Sequence, residues 1–264
     1  MKQLTLTIND QQVAYWRQGK GQSVLFLHGG RVRARTFRKL LVNLAKEYEV
    51  IAPDIPGYGS SPTPKKVWSF VDYADFFDDF LAKLNLTNVI VIGYSMGGGV
   101  ALNMAARSKR VSRLVLIDTS GLTLPEVKMS HHDLSRLWFY LSHPRYLPAL
   151  YVLVRDYATF LWSHARDFEC IQRTRARCQD TSYDETLQDI AVPTDIIWGR
   201  QDWIYPLVVA DEFQRRIPHA ILHIVPGNHD WPVYSPERVV GTVLLQTIVR
   251  GRRSTTIKKR NIWI

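Results

Sequence analysis

The sequence predicts an α/β fold: a mostly parallel sheet covered by helices on both faces, with a helical insertion between two of its strands. Three observations carry this. Short apolar runs ending in glycine or a turn residue alternate with stretches of helical periodicity, the pattern of a parallel sheet. The alternation breaks between Leu122 and Leu187 and then resumes. The 264 residues, 46% hydrophobic with eight tryptophans, are enough to bury one full core.

Taken in order, MKQLTLTINDQQVAYW alternates as a strand hairpin, and SVLFLHGG is a buried strand ending in glycine. TFRKLLVNLAKEY follows as a helix, with Phe37, Leu40, Leu41 and Leu44 on one face. EVIAPD is a strand and residues 68–84 a helix; NVIVIG is a strand and GGGVALNMAARS a helix; RVSRLVLID is another strand. Residues from Leu122 to Leu187 are rich in aromatics, histidine and arginine, with helix-like stretches and no convincing buried strand. The strand PTDIIWG, a helix near PLVVADEFQRRI, the strand AILHIVPG and the helix SPERVVGTVLLQTIV restore the first rhythm. An insertion that returns to its own sheet is a cap. Residues 1–121 and 188–264 are therefore expected as the core and 122–187 as a helical cap, with no repeat or low-complexity linker.

Composition narrows the function classes. The first residues read as a strand and lack the zones of a signal peptide. The apolar stretch LWFYLSHPRYLPALYVLVRDY is broken by His143, Pro144, Arg145 and Pro148, so no transmembrane segment is expected. Cys170 and Cys178 lie eight apart in a stretch that reads as helical, which argues against a disulfide framework and for a cytoplasmic protein. The net charge of +10 is concentrated at residues 31–39, in residues 128–177, and in the tail from Arg250. Such local basicity suits anionic partners at particular surfaces. No nucleic-acid partner is expected, because the chain shows no stacking platform or recognisable binding module.

Gly93-Tyr94-Ser95-Met96-Gly97 sits between a predicted strand and a predicted helix, the context a G-x-S-x-G nucleophile requires. A serine at so tight a turn is held in strained backbone geometry, so its neighbours at ±2 must be small. The helix beneath it offers free N–H groups and a positive dipole end. A serine hydroxyl is a weak nucleophile at neutral pH; it needs an imidazole to take its proton and a carboxylate to orient that imidazole.

With these motifs, the chain resembles the α/β-hydrolase family over nearly its whole length. The resemblance rests on LHGG at 27–30, DIPGYGSS at 54–61, GYSMGG at 93–98, the position of the cap, GRQDWIYP at 199–206 and PGNHDWP at 226–232. It implies Ser95 as nucleophile, His229 as base and Asp202 as acid, in the chain order Ser, Asp, His. Asp118, at the end of RLVLID, occupies a position that some relatives use for the acid, and Asp230 adjoins His229. Asp202 is favoured over both, with Asp118 bracing the chain where it enters the cap. Asp54 is expected to be structural, and His28 to brace its loop through a ring hydrogen bond. His131, His132, His143 and His164 fall in the cap, His219 opens a strand, and His223 lies within that strand. The oxyanion hole is expected from the backbone N–H groups of Met96 and Gly30.

The resemblance therefore implies a serine hydrolase, of carboxylesterase type, acting on carboxylic esters or related acyl substrates through an acyl-enzyme. Serine in place of aspartate at position 95 argues against the haloalkane dehalogenase and epoxide hydrolase branches. No metal or organic cofactor is needed. Carbon-carbon bond hydrolysis and aminopeptidase chemistry use the same triad, and a hydrolase-like ligand receptor with little turnover is the reading from another class.

Substrate contacts are expected from Arg31, Tyr94, Trp138, Trp162 and Trp203, with Phe139, Tyr140, Tyr146, Tyr151, Tyr157 and Phe160 as further candidates for an aromatic roof. Arg31, Arg33 and Arg35 stand in a loop that is often apolar in this family. Together with arginines at 136, 145, 155, 166, 173, 175 and 177 they suggest a narrower class of small-molecule acyl substrate, either anionic or delivered on an acidic carrier.

Overall fold

The structure, a computed structural model, describes residues 2–122, 124, 133–180 and 184–251. The basic tail from residue 252, His131 and His132 lie outside the described residues. Eight strands form one sheet: β1 (Lys2–Ile8), β2 (Gln11–Gln18), β3 (Ser23–Leu27), β4 (Glu49–Pro53), β5 (Val89–Tyr94), β6 (Val111–Ile117), β7 (Thr194–Gly199) and β8 (Ile221–Val225). Their order is β1-β2-β4-β3-β5-β6-β7-β8. The first hairpin is antiparallel and joins β4 antiparallel; every other pairing is parallel.

The interior strands carry long apolar runs because both faces are covered, and the buried Arg113 of β6 and Asp195 of β7 pair with each other at 2.7 Å. Along β5 and β6, successive side chains alternate between two cores. Val89, Val91, Leu114 and Leu116 enter one, while Ile90, Ile92, Val115 and Ile117 enter the other. The first core is closed by α2 (Phe70–Lys83), α3 (Met96–Arg107) and α8 (Leu207–Arg216), the second by α1 (Arg38–Leu44) and α10 (Glu237–Gly251). Helix α2 begins where Ser69 and Asp72 cap each other's backbone N–H groups, and it buries Phe70, Tyr73, Ala74, Phe77, Phe80 and Leu81 at helical spacing. The helix expected after β3 is shorter than its periodicity suggests. A 3-10 turn occupies Ala34–Phe37, and α1 stops at Leu44.

Between β6 and β7 the chain forms α4 (Asp133–Ser142), α5 (Leu147–Ser163), α6 (Phe168–Asp180) and α7 (Asp184–Gln188), with no strand among the described residues of this segment. Helix α7 packs against α3 and α8, and Leu187 and Ile190 are buried in the first core. Helices α5 and α6 instead lie over the carboxyl ends of the strands and face residues that follow β3 and β5. A four-residue helix, α9 (Trp231–Tyr234), follows β8. No helix among the described residues is long and apolar enough to cross a membrane.

Candidate active site

Ser95 stands between the end of β5 and the first residue of α3, with φ 51° and ψ −120°. Such a conformation is costly for a residue with a side chain and persists where the surroundings over-determine it. They do so here. A Cβ on Gly93 would come within 2.5 Å of the Gly97 carbonyl oxygen, and one on Gly97 within 2.2 Å of the Leu27 carbonyl oxygen, so neither position admits a side chain. The backbone of Ser95 is further pinned by its N–H donating to the Ile117 carbonyl at 3.0 Å.

His229 lies in the loop between β8 and α9, and its Nε2 is 3.1 Å from Ser95 Oγ. Its Nδ1 is 2.8 Å from Asp202 Oδ2. A carboxylate only accepts, so the Nδ1 proton points at Asp202 and Nε2 is left to accept from the serine hydroxyl. Asp202 Oδ1 accepts from the backbone N–H groups of Ile204 at 2.8 Å and Tyr205 at 3.0 Å. The Tyr94 hydroxyl donates to the His229 carbonyl at 3.0 Å and holds the loop from below.

Asp118 crowds this group without joining the chain of hydrogen bonds. It follows β6 at φ 42°, its Oδ1 accepts from Gly199 N–H at 2.7 Å, and the Trp231 side chain lies beside its carboxylate. Burial raises its carboxyl well above the usual carboxylate range, and the nearby charge of Asp202 adds to the effect. Asp118, Asp202 and His229 are the one metal-ligand-like cluster among the described residues. The hydrogen bond between His229 and Asp202 already engages one ligand atom of each, which leaves a poor cradle for an ion.

The loop after β3 is fixed by two buried groups. His28 Nε2 accepts from Ile55 N–H at 2.9 Å and its Nδ1 donates to the Gly29 carbonyl at 2.7 Å. Burial lowers the His28 pKa, which keeps the ring neutral in this role. Asp54 accepts from Ala34 N–H at 2.8 Å and from Ser60 N–H at 2.9 Å, joining two loops. Above the serine lies a cavity of about 420 Å³, within the size range of small-molecule sites. Its floor is Gly29, Gly30, Tyr94, Ser95, Met96 and His229, and its upper wall comes from α5 and α6.

A family model for the alpha/beta hydrolase family matches residues 24–242. The chain belongs to the alpha/beta hydrolase family. A hydrolase of 2-hydroxy-6-oxo-6-(2'-aminophenyl)hexa-2,4-dienoic acid from Metapseudomonas resinovorans is 27% identical over 241 residues, covering 83% of this chain and 81% of the relative. An uncharacterised protein of Mycobacterium tuberculosis is 26% identical over 268 residues, 90% of this chain and 78% of its own length. Among solved structures, a meta-cleavage product hydrolase from Pseudomonas fluorescens shares the fold with a TM-score of 0.77 at 24% identity, covering 92% of this chain and 96% of that one.

Within this hydrolase the sequence-predicted residues divide into those at the cavity and those away from it. Gly30, Arg31, Tyr94, Ser95, Met96, Tyr157, Phe160 and His229 line it. Trp138 and Trp162 are 73% and 88% exposed on the outside of the molecule, and Trp203 packs toward Phe139. None of these three tryptophans is part of the cavity wall: Trp138 is on α4, which does not reach the cavity, Trp162 is on the exposed face of α5, and Trp203 is in the loop between β7 and α8. Tyr140 is buried and donates to Asp230 at 3.1 Å; Phe139 and Tyr146 stack on each other and on Tyr234. His223 accepts its place in the sheet beside Asp195, at 3.1 Å, and His219 precedes β8 at φ 60°. Both cysteines are free.

The three loop arginines have three different fates. Arg31, at φ 64°, faces the cavity with its guanidinium 5.6 Å from the centre of the Tyr157 ring. Arg33 pairs with the buried Asp156 of α5 at 2.8 Å, and Arg35 is exposed. Sequence reasoning missed Tyr58, Leu153, Ile171 and Tyr205 as wall residues, and it named Arg175 only as one of seven cap arginines that suggest an anionic substrate. A signal existed for Arg175. Ile171, Arg175 and Cys178 recur at i, i+4 and i+7, so the arginine falls on the apolar face of its helix.

Proposed function

We propose that this alpha/beta hydrolase cleaves carboxylic esters or related acyl substrates through an acyl-enzyme on Ser95. The observation that carries the reading is the continuous chain Ser95 Oγ–His229 Nε2, His229 Nδ1–Asp202 at 3.1 and 2.8 Å, opening into a cavity lined mostly by apolar and aromatic side chains. As Ser95 Oγ bonds to the substrate carbonyl carbon, its proton passes to His229 Nε2 and the carbonyl π electrons move to oxygen. The resulting oxyanion accepts from the N–H groups of Met96, which the first turn of α3 leaves without an intrahelical acceptor, and of Gly30. Collapse breaks the bond to the alcohol oxygen, which leaves with the proton held by His229. Water then loses a proton to His229 as it attacks the acyl carbon, and the serine departs with that proton restored.

In this reading residues 122–187 act as a cap whose helices α5 and α6 set the size of the pocket. The likeness to a dienoic acid hydrolase favours a second reading, in which the same serine centre cleaves a carbon-carbon bond next to a ketone. A fluorophosphonate probe, followed by a panel of esters and vinylogous diketones, separates the possibilities. Labelling at Ser95, lost in Ser95→Ala, together with faster turnover of esters than diketones, is expected. Turnover of diketones alone would replace the first reading with the second, and absence of labelling in folded protein would point to a ligand receptor.

A further inference from the structure

The upper wall of the cavity carries two positive charges that the reaction above does not use. Arg31 reaches it from the loop after β3, and Arg175 from the apolar face of α6. Both are half-buried, and neither forms an ion pair with any described residue. Their neighbours in sequence behave differently. Arg33 and Arg155 share the carboxylate of Asp156, and Arg173 pairs with Glu169 at 2.7 Å. The acid in the cavity wall, Asp230, accepts from the Tyr140 hydroxyl.

A guanidinium drawn from water toward an apolar wall loses hydration, and a second one nearby adds repulsion. Both effects are present. The Arg175 pKa is lowered first by burial and then by the charge of Arg31. Around the pair stand the rings of Tyr58, Tyr157 and Tyr205, while Phe70, Leu153 and Ile171 supply apolar surface. Arg31 is held there at the expense of a left-handed backbone, a conformation that arginine seldom adopts. An anion between two planar forks would relieve the repulsion and make charge-assisted hydrogen bonds to both.

We propose that Arg31 and Arg175 form a clamp for a carboxylate carried on the apolar body of the substrate, so that the preferred substrates are acid-bearing esters such as monoesters of dicarboxylic acids. The clamp rests on the reading of Ser95 as an acyl-transfer centre for its meaning, but its binding can be measured without turnover.

The matched pair is monobenzyl glutarate, which carries one free carboxylate, and benzyl methyl glutarate, which is neutral. In Ser95→Ala, calorimetric titration should show the anionic ester binding at least about tenfold more tightly than the neutral one. Adding Arg175→Gln should remove that preference, and adding Arg175→Lys should keep most of it. Arg31→Asn serves as the second variant, because asparagine tolerates a positive φ and leaves the loop unstrained. A preference that is absent in Ser95→Ala, or that survives both Arg175→Gln and Arg31→Asn, would overturn the clamp. Turnover with Ser95 intact reads the other question. If neither ester is hydrolysed while the arginine-dependent preference persists, ester hydrolysis fails and the clamp stands; if neutral esters turn over and the preference is missing, the reverse holds.

Discussion

On the sheet side of the cavity, Ser95, Asp202 and His229 are held by strand ends, tight glycines and backbone N–H groups. On the helical side, α4 is tied down through the Tyr140 to Asp230 hydrogen bond, α5 through Asp156 and through Phe160 stacked on Tyr58 at 5.5 Å, and α6 through Thr174, which accepts from Trp68 N–H at 3.4 Å. The first wall consists of atoms fixed by the chain itself. The second consists of side chains on an amphipathic layer that leaves large aromatics in water. Under the proposed function, the contrast separates two tasks: the bond-breaking groups stand where the backbone dictates position, and recognition falls to side chains that can be exchanged without disturbing it.

The largest expected effect breaks the comparison on the sheet side. Asp202→Asn should lower kcat/KM for a small ester by about 10³- to 10⁴-fold, because the amide no longer fixes the His229 tautomer. Asp118→Asn should cost less than about tenfold in the same assay, and an equal loss from the two would show the charge to be shared between them.

Next comes the tie between the walls. Asp156 accepts from Arg33, Arg155 and the Thr36 hydroxyl at 2.7–2.8 Å with its side chain fully buried. Asp156→Ala should cost about 2 kcal/mol of stability and speed amide exchange in α5. Exchange in β5 and β6 should stay slow until global unfolding, and uniform acceleration across both walls would abolish the distinction drawn between them.

A smaller effect concerns pH. The Asp118 carboxyl has its pKa raised in the folded state above the unfolded value, so its neutral form contributes stability that is present at low pH and lost as pH rises through the folded value. Asn keeps a neutral group at every pH. The melting temperature of Asp118→Asn relative to wild type should therefore climb as pH rises above the usual carboxylate range. A gap that narrows with rising pH would mean that Asp118 is ionised in the fold.

The smallest effect is at the outer aromatics. Trp162, 88% exposed, should yield a Trp162→Ser protein within about 0.5 kcal/mol of wild type. A clear loss in a thermal melt would show that the outer face of α5 is covered in solution.

The sheet side was largely legible in the sequence. Alternating strand and helix periods, the glycines around Ser95 and the loops carrying Asp202 and His229 each leave local signatures, because backbone geometry constrains the residues that can stand there. The helical side was not. Trp138 and Trp162 drew attention as large aromatics, yet which face of a helix turns inward depends on tertiary packing that residue type alone does not encode. Tyr157 and Trp162 are both aromatic residues of α5; the first lines the cavity and the second does not. For Arg175, one of seven cap arginines that suggested an anionic substrate, the helical spacing with Ile171 and Cys178 held the information that sets it apart from the other six.

Helix α7 gives this division an evolutionary reach. With Leu187 and Ile190 in the core between β6 and β7, it completes an ordinary strand-helix-strand crossover by itself. Helices α4–α6 are then a detour spliced into one loop of that crossover, at the carboxyl ends of the strands where open sheets of this kind bind ligands. A detour so placed can be transplanted: exchanging residues 119–183 with the matching stretch of another hydrolase should change what enters the cavity while the eight strands keep their register.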